Sequence, residues 1–403
     1  MTLAFDRRAF IGSAAAVALA QPRRGVAQTK TPVRIGVLND ESGPYADLAG
    51  PGSVLAVRMA AADAAASGLD RPVELLVGDH QNKPDVGLAI VREWLSTDKA
   101  DVIVDFANSA ISLGAQPLAL QYDKVLLHVA STTSELAGKG CARNGIQWAQ
   151  NTYADANGLA RSLLRGGKRS YFFITVDYVF GHSVEADMRS AIQGGGQVLG
   201  SVKHPLNTSD FASYLATAQS SGAEVVVLAN SGADLITSVK QAGEFGVARK
   251  QALVAPIVYL TDVNALGLEA AQGLQFVQSW YWDQDEASRA WAKRFFAERR
   301  RMPTDLQAGA YSAAHHYLRA VQRTGSTDAQ PVLAAMRASP VQDMYASGGR
   351  ILANNKMTFD LLLVRVKAPG ESRHAWDYLD VVTRIPGNEA FRPVTEAGCP
   401  LVT

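Results

Sequence analysis

From residue 33 onward, short apolar runs alternate with longer amphipathic ones. The runs at 33–38 (VRIGVL), 73–77, 102–106 and 125–130 are apolar at nearly every position rather than at every second one. A strand of that kind is buried on both faces, which is the habit of parallel sheets sandwiched between helices. Between the runs, 46–66, 85–95 and 109–122 repeat their apolar residues at helical spacing. The order βαβαβαβ predicts a parallel sheet with both faces covered. After a connection near 147–152 the pattern restarts. Helices are predicted over 154–164, 185–193, 211–219 and 235–244, and strands over 170–176, 197–202, 224–229 and 252–260. Two α/β lobes of one architecture follow. A strand over 273–282 crosses back, and 288–300, 307–323 and 332–337 read as helices. The segment 343–383 is β-rich, with 361–366 (LLLVRV) its clearest strand, and 386–403 is irregular. No long linker separates the lobes, which suits a hinge of several crossing strands rather than a flexible tether.

The first 27 residues do not fit this pattern. Asp6-Arg7-Arg8-Ala9-Phe10-Ile11 is followed by an alanine-rich apolar run over 9–20. Twelve residues fall short of the roughly 20 that a membrane span needs, and they match the apolar region of an export signal of twin-arginine type. Gly25 and Ala27 are small residues at the right spacing for cleavage after Ala27, and no cysteine lies nearby for a lipid anchor. A periplasmic protein with no membrane-embedded segment is expected. The chain has 403 residues, 47% of them hydrophobic and 19% charged, a globular composition with room for large cores. Lysine and arginine number 39 against 38 acids, so a nucleic-acid partner is not expected. Loss of residues 1–27 removes four arginines and one aspartate, which takes the formal charge from +1 to −2. Two cysteines, Cys141 and Cys399, are too few for a cysteine zinc cluster and too far apart for a C-x-x-C pair.

In open parallel sheets, ligands sit beyond the carboxyl ends of the strands. There the first lobe offers Asn39 to Tyr45, then Asn108 and Ser109, then Ser131 and Thr132. Small hydroxyls and free amides at helix N-termini suit a carboxylate or similar anion, and they equally suit helix capping alone. The second lobe offers Tyr178 and Phe180, Asn230 and Ser231, and Asp262, a set suited to an apolar or aromatic body. His128 reads as a core histidine, and His80 as a residue that either faces the cleft or is buried. The neighbours His315 and His316 point about 100° apart on a helix and cannot chelate one metal. The sequence has no G-x-S-x-G, no phosphate-binding loop, no dinucleotide fingerprint and no H-E-x-x-H. No cofactor is expected, and the odds of an enzyme fall.

VRIGVLNDESGPYAD (33–47), DHQNKPDVG (79–87), residues 132–136, FFITVDYVFG (172–181), HPLNTSDF (204–211), Gln241-Ala242 with Gly246, and GLEAAQGL (267–274) occur in that order. Together they resemble the periplasmic solute-binding proteins of ABC transporters, in the branch of the leucine/isoleucine/valine-binding proteins, over residues 33 to 385. The resemblance implies a type I fold, with two Rossmann-like lobes joined by three crossings and one solute in the cleft. It divides the chain into a signal (1–27), an N-terminal lobe (28–150 and 283–342), a C-terminal lobe (151–282 and 343–385) and a tail (386–403). It places the carboxylate-binding serine on Ser109, a main-chain contact on Ala130, a threonine on Thr132 and the first-lobe aromatic on Tyr45. The family's second-lobe tyrosine falls on Phe180, which lacks the hydroxyl. A second aromatic position falls on Ser231, and the acid that holds an amino acid's ammonium falls near Asp262. Tyr153, Tyr259 and Trp282 also surround the expected cleft.

The carboxylate half of such a site is kept while the ammonium half departs. The expected ligand is a small aromatic or apolar carboxylate, delivered to an ABC permease by a monomeric protein through cleft closure. Binding of a branched-chain or other amino acid by the same mechanism, a ligand-sensing regulator and a periplasmic hydrolase are the alternatives. Export would place Cys141 and Cys399 in an oxidising compartment. They are expected to bridge and to tie the tail back to the first lobe.

Overall fold

The computed structural model describes residues 1–2 and 30–402; the export signal expected at 1–27 therefore lies outside the described residues, apart from Met1 and Thr2. Strands β1 (Val33–Asn39), β2 (Val73–Asp79), β3 (Val102–Asp105), β4 (Val125–His128) and β5 (Gly145–Gln147) form one parallel sheet in the order β2-β1-β3-β4-β5. Every residue of β3 and β4 is buried, as their mostly apolar runs require, including the polar Asp105 and His128 at their ends. The register pairs Leu38 with Asp105 and Asp105 with His128, so the loops after β1, β3 and β4 emerge side by side. Helices α1 (Gly50–Ala66), α2 (Pro84–Ser96) and α3 (Ser109–Tyr122) are the crossovers. The helix expected from 46 begins only at Gly50, because 43–45 are folded into a turn by Asp40. Its carboxylate accepts from the amides of Gly43 (2.7 Å) and Tyr45 (2.9 Å).

The second lobe repeats the plan. It runs α4 (Thr152–Arg165), β6 (Ser170–Val176), α5 (Val179–Ile192), β7 (Gln197–His204), α6 (Ala212–Ser220), β8 (Val225–Ala229), α7 (Gly232–Glu244), β9 (Ala252–Val254) and α8 (Leu260–Leu266). Its parallel sheet has the order β7-β6-β8-β9. In both lobes the first strand lies inside the sheet, so the strand order reverses at β1/β3 and at β6/β8, where open α/β sheets place their ligands. The strand expected over 252–260 stops at Val254. Pro256, which has no amide hydrogen for a ladder, follows two residues on, and the chain turns into α8.

After the short helix α9 (Leu268–Ala271) and strand β10 (Gln275–Gln278), the chain returns to the first lobe as α10 (Glu286–Arg299), α11 (Asp305–Thr324) and α12 (Ala329–Ala338). Tyr311 on α11 donates to Asp63 on α1 at 2.7 Å, and Thr304 caps α11 while donating to the Leu48 carbonyl at 2.7 Å. A small antiparallel sheet, β11 (Val341–Gln342), β12 (Ser347–Ile351) and β13 (Met357–Thr358), leads back. Strands β14 (Leu361–Val366) and β15 (Leu379–Ile385) then join β10 beside α4, followed by the single turn α13 (Gly387–Ala390).

The chain thus crosses between lobes three times, and two buried groups bind the crossings together. The Lys356 ammonium, on the third, donates to the Gln147, Trp148 and Ala149 carbonyls of the first. The Asp305 carboxylate accepts from the Gln150 side chain of the first crossing at 2.8 Å and from the Ser279 hydroxyl of the second at 3.0 Å. Burial holds the Lys356 ammonium well below its usual pKa and pushes the Asp305 carboxyl up to about 6. Cys141 and Cys399 are disulfide-bonded, their Cα atoms 5.7 Å apart. No described helix is long and apolar enough to cross a membrane.

Candidate functional site

The loops leaving β1, β3 and β4 face the loops leaving β6 and β8 across a small cavity. The space is tight, so in this arrangement it suits only a compact solute. Tyr45, Leu48, Ala107, Ser109, Ala130 and Thr132 form the first-lobe wall, and Tyr178, Phe180, Ser231 and Tyr259 the second.

The first wall is set by an unusual bend. Asp105 and Phe106, at the end of β3, both have left-handed backbones, with φ of 91° and 65°. Such a conformation is costly for non-glycine residues and persists only where the surroundings enforce it. Here the Asp105 carbonyl accepts from the Val129 and Ala130 amides at 3.1 Å, and the Phe106 amide donates to the Leu38 carbonyl at 2.7 Å. The Asp105 carboxylate, pushed up to about 6 by burial, accepts from Asn39 at 3.2 Å. The bend turns Ala107 and Ser109 into the cavity.

The choice between capping and binding falls differently for neighbouring residues. Asn108, not Ser109, caps α3, accepting from the Ala110 (2.9 Å) and Ile111 (3.0 Å) amides. Thr133, not Thr132, caps the short turn that follows β4, accepting from the Glu135 amide. Among the described residues, neither the hydroxyls nor the backbone amides of Ser109 and Thr132 have a protein partner. Ser109 and Thr132, both in the lining, thus leave four donors without a protein partner, and those of Ser109 lie at the N-terminus of α3, where the helix dipole favours an anion.

The second wall is mostly aromatic. Tyr178 and Phe180 open α5, with ring centroids 5.9 Å apart. At Gly181 a Cβ would meet the Val176 carbonyl at 2.1 Å, so the tight strand-to-helix turn that presents them needs glycine there. Ser231 precedes α7, and its hydroxyl is buried without a partner. No residue lining the cavity carries a formal charge.

Five candidate residues are not brought into the cavity lining. Asn108 is used up as a cap. The Ser131 hydroxyl accepts from Ser112 (2.6 Å) and donates to the Phe106 carbonyl. Asn230 donates to His204 at 3.2 Å. Tyr153 lies under the Arg392 guanidinium, 4.4 Å from its ring centre, beneath the tail. Asp262 turns back onto its own helix and accepts from the Tyr259 amide at 2.9 Å; burial pushes its carboxyl up to about 7. Trp282 is likewise outside, bonded to the Trp376 carbonyl. His80 is fully buried, and burial pushes its imidazole down to about 4. Leu48 joins the lining without any sequence signal, because it is held by Thr304, some 250 positions away, while Ala107 joins it from the loop just beyond β3. Among the described residues no group of acids, histidines and cysteines is placed to hold a metal ion.

A model of the periplasmic binding protein family matches residues 32–372. The chain is 40% identical to a periplasmic binding protein from Burkholderia mallei, with a TM-score of 0.90 over 92% of this chain and 99% of that one. It is 38% identical to a protein from Burkholderia xenovorans described as a branched chain amino acid ABC transporter periplasmic ligand-binding protein, with a TM-score of 0.81 over 92% and 99%. A Leu/Ile/Val-binding protein homolog from Brucella melitensis is 24% identical over 73% of this chain and 76% of its own length.

Proposed function

The chain belongs to the periplasmic binding protein family, and from that premise we propose that its solute is a small carboxylate with an aromatic or apolar body. Proteins of this family are binders rather than enzymes, and they deliver small molecules to the permeases of ABC transporters. One observation carries the finer reading. The lining offers unpaired hydroxyl and amide donors on Ser109 and Thr132, aromatic rings from both lobes, and no acid for an ammonium. A carboxylate at the Ser109 and Thr132 donors gains charge-assisted hydrogen bonds. The rings of Tyr45, Tyr178, Phe180 and Tyr259 cover its body.

In this reading the first lobe captures the anion and the second closes over it by hinge bending. The ligand's stronger interaction with the closed form is then what the permease reads. Export by the twin-arginine-type segment and a monomeric state belong to the same proposal.

A branched-chain amino acid is the second reading, favoured by the description of the Burkholderia xenovorans relative. Its ammonium would have to rely on neutral oxygens such as the Ser231 hydroxyl. Thermal melts with matched pairs separate the two: benzoate against phenylalanine, and 4-methylpentanoate against leucine. A ligand at 100 times its dissociation constant stabilises by about 2.7 kcal/mol. The carboxylate of each pair should raise the midpoint more. Stabilisation by the amino acids alone would overturn the proposal.

A further inference from the structure

We infer that the C-terminal tail is a fourth connection between the lobes, a strap clasped by Arg392 on Asp187, and that it biases the protein toward its closed form. This rests on binding by lobe closure as proposed above.

One end of the strap lies on the second lobe. Asn157 on α4 donates to the Glu389 carbonyl at 3.1 Å, and Arg161 reaches the Glu389 carboxylate at 3.6 Å. The other end is covalently fixed to the first lobe through Cys399 and Cys141. The Ala397 carbonyl packs so closely on Gly138 of the first lobe that a Cβ there would lie 3.0 Å from it.

Asp187 on α5 is where the parts converge. It is 5% exposed, and it accepts from the Arg392 guanidinium at 2.9 Å, from Thr152 at the first crossing at 2.6 Å, and from Ser134 of the first lobe at 2.7 Å. Arg392 also covers the Tyr153 ring.

Chain length decides how the strap works. Seven residue steps from Arg392 to Cys399 span at most about 25 Å when extended. They are shortened here by a turn over Val394–Glu396. The slack means that the disulfide alone does not stop the lobes from parting. While Arg392 stays on Asp187, opening must unwind that turn; once Arg392 is released, the second-lobe anchor moves back to Glu389 and the strap gains three residue steps, about 10 Å of extra reach. Disulfide and clasp therefore act in series, and losing either loses the whole effect. Two contributions in series are non-additive, whereas two independent stabilising contacts would add.

The test compares the wild type with Cys141→Ser/Cys399→Ser, with Arg392→Ala and with the combination. Two readouts are used: the radius of gyration of ligand-free protein by small-angle scattering, and the dissociation constant for benzoate. Each variant should be more open without ligand. Each should bind benzoate roughly tenfold more weakly, within the usual range for coupling between conformation and binding. The combination should be no worse than either. Unchanged scattering, or effects that add, would overturn the strap. If neither benzoate nor 4-methylpentanoate binds the wild type, the ligand proposal fails while the scattering still decides the strap. If the cysteine variant does not fold, Arg392→Ala and Asp187→Asn, with the disulfide intact, decide it by the same scattering readout.

Discussion

The Tyr45 hydroxyl of the first lobe lies 2.7 Å from the Tyr178 hydroxyl of the second. Both side chains line the cavity, so this hydrogen bond exists only when the cleft is shut. Tyr178→Phe should therefore weaken solute binding. A net hydrogen bond contributes about 0.5–1.5 kcal/mol, a loss of a few-fold to about tenfold in affinity. The single change leaves the Tyr45 hydroxyl buried without a partner. Tyr45→Phe/Tyr178→Phe should consequently cost less than the sum of the single changes. Titration calorimetry with a solute that raises the melting midpoint checks both points; full affinity in Tyr178→Phe counts against the closed bridge.

Gly232 gives a test of closure that involves no ligand contact. It opens α7 with φ of +59°, and a Cβ there would lie 2.6 Å from the Pro44 carbonyl of the opposite lobe. Gly232→Ala should lower the ligand-free midpoint modestly, because the left-handed backbone costs about 1–2 kcal/mol. That backbone cost is the same in the open and closed forms and cancels in binding, whereas the clash with Pro44 arises only on closing, so affinity should fall. A lower midpoint with unchanged affinity would mean that the contact does not oppose closure.

Asn108 and Ser109 are adjacent but should fail in opposite ways. Asn108 caps α3, and removing such a cap costs about 0.5–2 kcal/mol. Asn108→Ala should lower the midpoint by a few degrees. Ser109→Ala removes a hydroxyl with no protein partner that lines the cavity, so it should weaken carboxylate binding and leave the ligand-free midpoint nearly unchanged. Melts and titrations on the two variants check this. A lower midpoint in Ser109→Ala would return that residue to a structural role.

The same pair shows what the sequence could reveal. Nearly unbroken apolar runs such as 102–106 and 224–229 disclose the parallel sheets, because a strand buried on both faces leaves few polar positions. Reading beyond the strand ends located Ser109, Thr132, Tyr178 and Phe180, since topology alone sends those loops into the cleft. Sequence could not decide which of two neighbouring polar residues would cap and which would face the cavity. That depends on the left-handed bend at Asp105 and Phe106, and neither residue type advertises such a backbone. The length of β9 was misjudged because the apolar run continues past Pro256 into the helix that presents Tyr259. Cys141 and Cys399 were paired correctly from an expected oxidising compartment, although 258 positions separate them.

Asp262 allows the ammonium question to be tested through pH. Burial raises its carboxyl from 3.8 to about 7, opposed by the hydrogen bond from the Tyr259 amide. Between those values the folded protein holds a proton that the unfolded chain releases. The stabilising contribution of the protonated group is thus complete below about 3.8 and is lost as pH rises through about 7. Asn can accept the same amide hydrogen and cannot ionise. The midpoint of Asp262→Asn, relative to wild type, should accordingly be higher at pH 8 than at pH 5. Each unit of pKa shift is about 1.4 kcal/mol, so the change should be several degrees. A constant difference between the two pH values would mean that Asp262 ionises as it does in water. Because Asp262 does not line the cavity, Asp262→Asn should also leave the affinity for benzoate unchanged. Loss of leucine binding in the same variant would instead give Asp262 the ammonium-holding role and favour an amino acid as the solute.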